Sequence, residues 1–156
     1  MRKIVTWFGK TCAWLSFAIV LIICFDVVFR YAFRATQIWM IELEWHLFGI
    51  LFIVCGAWCW LEDRHVRVDV IYGRMRQTIK NRIDLIGHML LAIPWIVVVI
   101  YVTFIYAGYS FSWQENSPDP GGLPGRYFIK YILCFGFVLM AFAAISKILN
   151  FNQKTY

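Results

Sequence analysis

Few side chains in this sequence have the type and spacing to do chemistry, and all of them lie in or beside long apolar stretches. Asp26 and Arg30 are four apart, so on a helix they share a face and can pair. Ionisable groups at membrane depth are costly and point first to function, yet a mutually neutralised pair near an interface is more often structural. Glu42 is the lone carboxylate that suggests a proton or cation site, because Glu44 falls on another face of the same helix. Cys55 and Cys59 are also four apart, but no third ligand converges on them, so core packing outweighs a metal site. His46 and His88 raise the possibility of haem held between helices. At 1.5 Å per residue, His46 lies roughly 22 Å from the inner end of its span and His88 roughly 6 Å from the inner end of its own. One haem cannot bridge them, and two would need four axial ligands. The sequence has no phosphate-binding glycine loop, nucleophile elbow, paired-cysteine redox motif or HExxH. No catalytic residue, metal site or cofactor is therefore expected in this chain.

The elements that must position these residues are membrane helices. Of 156 residues, 62% are hydrophobic and 15% charged, against about a quarter charged in soluble domains. A span needs about 20 mostly apolar residues, and four such stretches are present, near 11–31, 42–61, 86–110 and 127–147. The expected fold is an all-α membrane protein, one four-helix domain over 1–156. No internal repeat is visible, and a secondary-transporter core normally shows repeated halves with broken helices meeting at the midplane. Alone, the chain is a poor translocation pathway and reads as an accessory subunit.

Charge orients the helices. Arg2, Lys3 and Lys10 precede span one, six basic residues from Arg64 to Arg82 separate spans two and three, and Lys147 and Lys154 follow span four. Eleven of the 15 basic residues thus fall on one side, which the positive-inside rule makes the cytoplasm, with both termini inside. The net charge of +6 is mainly topology and not a nucleic-acid footprint. No small-residue cleavage site follows Phe25, so the first helix reads as uncleaved. The five cysteines lie in or beside membrane segments and behave as small apolar residues.

Between the spans, residues 1–14 suit either a segment lying on the cytoplasmic surface or a plain helix start. Trp39 and Trp45 bracket Glu42 and Glu44 as an aromatic belt would. From Val70 onward, apolar positions recur at helical spacing opposite Arg74, Arg76, Lys80 and Arg82, which predicts a basic amphipathic helix over about 70–83 on the inner leaflet. Pro94 should kink span three or mark a packing irregularity. The stretch from Ser112 to Arg126, with three prolines and three glycines, reads as a structured turn region outside the membrane. On span two, Glu42, Trp45, His46, Gly49, Ile53 and Gly56 share one face, and its two glycines let another helix approach closely. That face reads as an interface.

Taken in order, four segments resemble a known family: Arg30-Tyr31; Trp39-Met-Ile-Glu42-Leu-Glu44-Trp45-His46-Leu-Phe-Gly49; His65-Val-Arg67-Val-Asp69-Val; and Gly121-Gly-Leu-Pro124-Gly-Arg126-Tyr-Phe-Ile-Lys130. They look like the DctQ-type small permease of tripartite ATP-independent periplasmic (TRAP) transporters. The resemblance implies a bacterial or archaeal uptake system in the cytoplasmic (inner) membrane. There a periplasmic binding protein (DctP-type) delivers an organic anion, a large subunit (DctM-type) carries it with sodium, and the small subunit braces the large one. Sodium would belong to the large subunit. Glu42, Trp45, His46, Gly49 and Gly56 would face that subunit. His65, Arg67, Asp69 and Arg74 would fix the inner surface segment against lipid headgroups. Glu115 and Arg126 would meet the periplasmic protein. The lead-in from Glu115 to Pro124 looks like the subgroup linked to 2-oxo acids, sulfonates and similar carboxylates or polyols. Asp26 stands where the family pattern leads one to expect an amide. Two other classes remain: the membrane anchor of a quinone- or haem-linked redox enzyme, and a small self-assembling exporter using Glu42 as its proton site.

Overall fold

In a computed structural model of the chain, the residues described are 1–65 and 72–153, with side chains as far as Leu149. Arg67, Asp69 and the start of the expected 70–83 helix lie outside them. The elements in order are α1 (Arg2–Ala13), α2 (Leu15–Ala32), α3 (Ile38–Leu61), α4 (Gln77–Ile86), a π-helical segment (Gly87–Ala92), α5 (Ile93–Ser112) and α6 (Tyr127–Gln153). Four stretches are long and apolar enough to cross a membrane: Arg2–Ala32, Ile38–Leu61, Gln77–Ser112 and Tyr127–Leu149. Four crossings place both termini at one end, here called the basic end, and the 33–37 and 113–126 connections at the other, the loop end.

The first span starts earlier than hydropathy alone suggests, because α1 packs lengthwise along α3 instead of lying apart from it. The pairing is antiparallel: Arg2 bridges Glu62 at 3.3 Å, Cys55 Sγ lies 3.7 Å from the Gly9 carbonyl, and Cys12 Sγ lies 3.8 Å from the Ile50 carbonyl. Gly9 makes this possible. A Cβ there would overlap the side chain of Trp58. Only a slight irregularity at Trp14, still right-handed helical, separates α1 from α2.

In space α3 and α6 form the centre, α1 and α2 pack on α3, and α5 packs on α6. The main buried cluster joins Val5 and Cys12 of α1, Val54, Ala57 and Leu61 of α3, and Leu139 and Ala143 of α6. Three of the four fully enclosed alanines, Ala57, Ala143 and Ala144, lie on the two central helices. This is expected in lipid, where helices gain little from leaving apolar solvent and associate through close van der Waals contact at small residues. Gly136 of α6 is the tightest such point, since any Cβ would run into Ile53 of α3.

The amphipathic stretch is α4, whose Ile79, Ile83 and Ile86 are half-exposed. It runs directly into span three through the π-helical segment, so it is the inner extension of that span. Pro94 accounts for the irregularity. Its ring has no N–H and crowds the carbonyl four residues back, and widening the preceding turns to i→i+5 spacing relieves both.

Candidate functional site

The loop end carries the densest polar chemistry, and it is built from the termination of α5. Gln114 takes a left-handed φ of +47°, its N–H donates to the Phe111 carbonyl at 3.0 Å, and the N–H of Glu115 donates to the Ser110 carbonyl at 3.1 Å. This double bond closes the last helical turn. It also delivers Glu115 to α6: Lys130 Nζ lies 2.5 Å and Ser110 Oγ 2.6 Å from Glu115 Oε2, and Lys130 sits 3.9 Å from the centre of the Tyr106 ring. The bonds from Lys130 and then Ser110, with Arg126 adding charge, hold the Glu115 carboxyl below the usual carboxylate range.

Glu42, one turn into α3, closes the other half of the loop. It is buried, accepting one hydrogen bond from Ser117 and another from the Leu123 backbone N–H at 2.5 Å. Gly122 lies so close that a Cβ would overlap Ser117 and crowd the Glu42 carboxylate. Arg126 donates its backbone N–H to the Glu115 carbonyl at 2.8 Å and lays its guanidinium 5.7 Å from the Trp45 ring. His46 Nδ1 donates to the Glu42 carbonyl at 2.6 Å and stacks beside Trp45. Two of the residues expected at separate interfaces, Glu42 and Glu115, thus secure the 113–126 loop to its own helices. Their carboxylates are spent within the chain, that of Glu42 on the Ser117 hydroxyl and the Leu123 N–H and that of Glu115 on the side chains of Lys130 and Ser110.

The rest of the span-two face divides. Gly56 lies against Met140 of α6, and Gly49 has only Ile129 Cδ1 near it, at 3.9 Å, so a Cβ fits there. Gly49, Ile53, Ile129, Lys130, Ile132 and Leu133 line a shallow apolar groove. Trp45, Phe48 and Phe52 stand exposed beside it. Within the helices, the glycines that the packing cannot spare are Gly9 and Gly136, neither of which the sequence pattern singled out. Lys130 and Ser117 were missed as well, although a lysine opening an apolar span just after an acidic loop was a usable signal.

On the opposite side of α3, Asp26 and Arg30 of α2 form the expected ion pair. Asp26 is only 2% exposed. Glu44 of α3 has its Oε1 buried without a hydrogen-bond partner among the described residues. At the basic end, His65 is exposed with its ring 6.1 Å from Trp60, and Arg74 is exposed. His88 Nε2 accepts from Trp60 at 2.9 Å while its Nδ1 donates to the Asp84 carbonyl. Among the described residues no group of three His, Cys, Asp or Glu side chains is placed to hold a metal ion.

The family model described as tripartite ATP-independent periplasmic transporters, DctQ component, matches residues 19–153. The chain belongs to this family. The match takes in the Glu42 lock, the groove, the last three spans and the first span from Ile19 onward, and leaves α1 outside it. This DctQ component is therefore a small membrane subunit of a TRAP transporter, a multi-pass membrane protein that works with the other parts of such a system. No curated protein matches the chain.

Proposed function

We propose that this DctQ component braces the large, DctM-type subunit of a sodium-coupled TRAP transporter. The system would take up an organic anion, such as a 2-oxo acid, sulfonate or related carboxylate, from a DctP-type periplasmic binding protein. It works in the bacterial or archaeal cytoplasmic membrane with both termini inside, and performs no catalysis and holds no cofactor of its own. The observation that carries this reading is the division of span two: its loop-end carboxylate is consumed internally, while Trp45, Phe48 and Phe52 and the groove at Gly49 stay open to a neighbour. A helix of the large subunit laid into that groove could approach α3 closely at Gly49, where no side chain stands in the way. Arg126 and the outer surface of the 113–126 loop face the binding protein, and α4 with Arg74 and His65 rests on anionic lipid headgroups.

Purification of the tagged chain from its native membrane in mild detergent, followed by mass spectrometry, tests the role. A large multi-span permease is expected to remain bound; recovery alone, or with redox subunits, overturns it. Gly49→Leu is expected to lower that co-purification about tenfold while leaving the thermal unfolding of the isolated chain unchanged, because a Cβ at this position meets nothing closer than 3.9 Å within the chain and the groove beyond it is open.

A further inference from the structure

One exposed face of the first span has no role so far. Lys3, Trp7, Lys10, Trp14, Phe17 and Leu21 follow one another at alternating spacings of four and three residues, so they form a single stripe along α1 and α2, and all six are exposed. The opposite face of α1, through Val5, Gly9 and Cys12, is buried and holds the helix lengthwise against α3. The stripe therefore keeps a fixed depth. The Gly9 carbonyl lies 3.7 Å from Cys55 Sγ, and Cys55 is about 9 Å from the end of α3 at Leu61. Just beyond that end Arg2 pairs with Glu62 and Lys147 with Asp63, which marks the level where charge meets water. The backbone of Lys10 thus lies about 9 Å inside that level. On the helices packed against α1, no carboxylate is left for it: α1 and α6 contain none, and Glu62 holds Arg2. Asp26, the acid of α2, is about 24 Å further along the helix and is bonded to Arg30. Glu42 and Glu44 lie about three turns nearer the loop end than Cys55. A charge held at membrane depth needs a counter-ion, and here it must come from outside these helices.

We propose that this stripe binds one anionic phospholipid of the leaflet at the basic end. Helix side chains lean toward the helix N-terminus, which for α1 is the basic end, so the long stem of Lys10 carries its ammonium back toward the headgroups. There it and Lys3 hold the lipid phosphate. The indoles of Trp7 and Trp14, three residues before Lys10 and four after it, suit a boundary where an apolar body meets a polar rim. Past them Phe17 and Leu21 carry the stripe toward the loop end without a charge and lie along the acyl chains. The stripe thus has the polarity of a phospholipid laid beside it, cationic at one end and apolar at the other. Two lysines with no acidic partner among the described residues favour a headgroup of net negative charge, because a zwitterionic one brings its own cation to the same place. An acidic side chain of another protein would answer the lysines but not the apolar run beyond them. The stripe lies on other helices than the groove at Gly49 and does not rest on the subunit contacts proposed above.

Native mass spectrometry of the full chain in mild detergent, titrated with phosphatidylglycerol or with phosphatidylcholine of the same acyl chains, tests this. The wild type is expected to bind the first phosphatidylglycerol about tenfold more tightly than the first phosphatidylcholine, the factor that goes with one charge-assisted hydrogen bond. Lys10→Gln should remove most of that preference, Lys3→Gln should reduce it, and Lys10→Arg should keep it. Circular dichroism checks that each variant keeps its helices, and either glutamine variant alone suffices. A wild type without the preference, or a preference that survives both glutamine substitutions, overturns the proposal. In the second case, loss of the co-purifying permease from Lys10→Gln assigns the face to that protein. Glycerol phosphate, which has the anion but no acyl chains, should not displace the bound lipid; displacement makes the stripe a site for soluble anions and also overturns the proposal.

Discussion

Glu42 and Glu44 stand two residues apart on α3, at nearly the same depth, and meet opposite surroundings. Both oxygens of Glu42 accept hydrogen bonds, from Ser117 and from the Leu123 N–H. Glu44 keeps a buried oxygen without a hydrogen-bond partner among the described residues. Two residues turn a helix by about 200°, so each glutamate faces a different neighbour. The neighbour of Glu42 is a loop, whose backbone N–H groups are free to be aimed at it. The neighbour of Glu44 is the middle of a helix, whose N–H groups are already used within the helix. Only side chains can serve there, and Arg30 of α2 is bonded to Asp26. The difference teaches that a loop beside a membrane helix can supply an acidic residue with backbone donors that a neighbouring helix cannot.

The comparison breaks most completely at Gly136. Gly136→Leu should drive α6 off Ile53 of α3 and destabilise the chain by about 3 kcal/mol, the upper end of the usual cost of overpacking. Denaturant unfolding in detergent measures it, and the α2–α3 contact should outlast the α3–α6 contact in hydrogen exchange. Glu42→Ala is the next strongest perturbation. With the lock removed, amides 117–123 should exchange about tenfold faster, the factor that goes with losing one buried hydrogen bond, whereas Glu44→Ala leaves that loop unchanged. Equal effects of the two alanine substitutions would erase the distinction drawn between the glutamates.

The smallest effect is that of acid on Glu115. Its carboxyl is held below the usual range, mainly by Lys130, so its contribution is complete above the ordinary carboxylate pKa. It is lost as pH falls through the depressed folded value. Protease nicking of the 113–126 loop should therefore rise only under strong acid in the wild type and be insensitive to acid in Glu115→Gln. Because Glu115 is partly exposed, salt should weaken the effect.

The four spans, the amphipathic stretch and the structured loop were legible because lipid imposes length, apolarity and charge asymmetry on the linear chain. The pairing of Asp26 with Arg30 was legible too, since four-residue spacing on a helix is local. The partner of Glu42 was not: Ser117 and Leu123 lie 75 and 81 residues away. Likewise Gly49 and Gly56 drew the eye as a seam, yet the helix–helix contacts that require glycine are at Gly9 and Gly136. A lone glycine in an apolar run carries no signal until the helix facing it is known.

Sequence by itself determined that the chain crosses a membrane four times, which end is basic, and which family it resembles, because each follows from solvent and from motifs read along the chain. Tertiary structure alone decided that α3 and α6 are central, that α1 joins the bundle, and that Glu42 is satisfied while Glu44 is not. Those outcomes depend on which helix faces meet across the bundle. Hydropathy, nearly uniform around these helices, does not encode that choice; it is made by where a missing Cβ lets two backbones approach and where a loop has donors left to give.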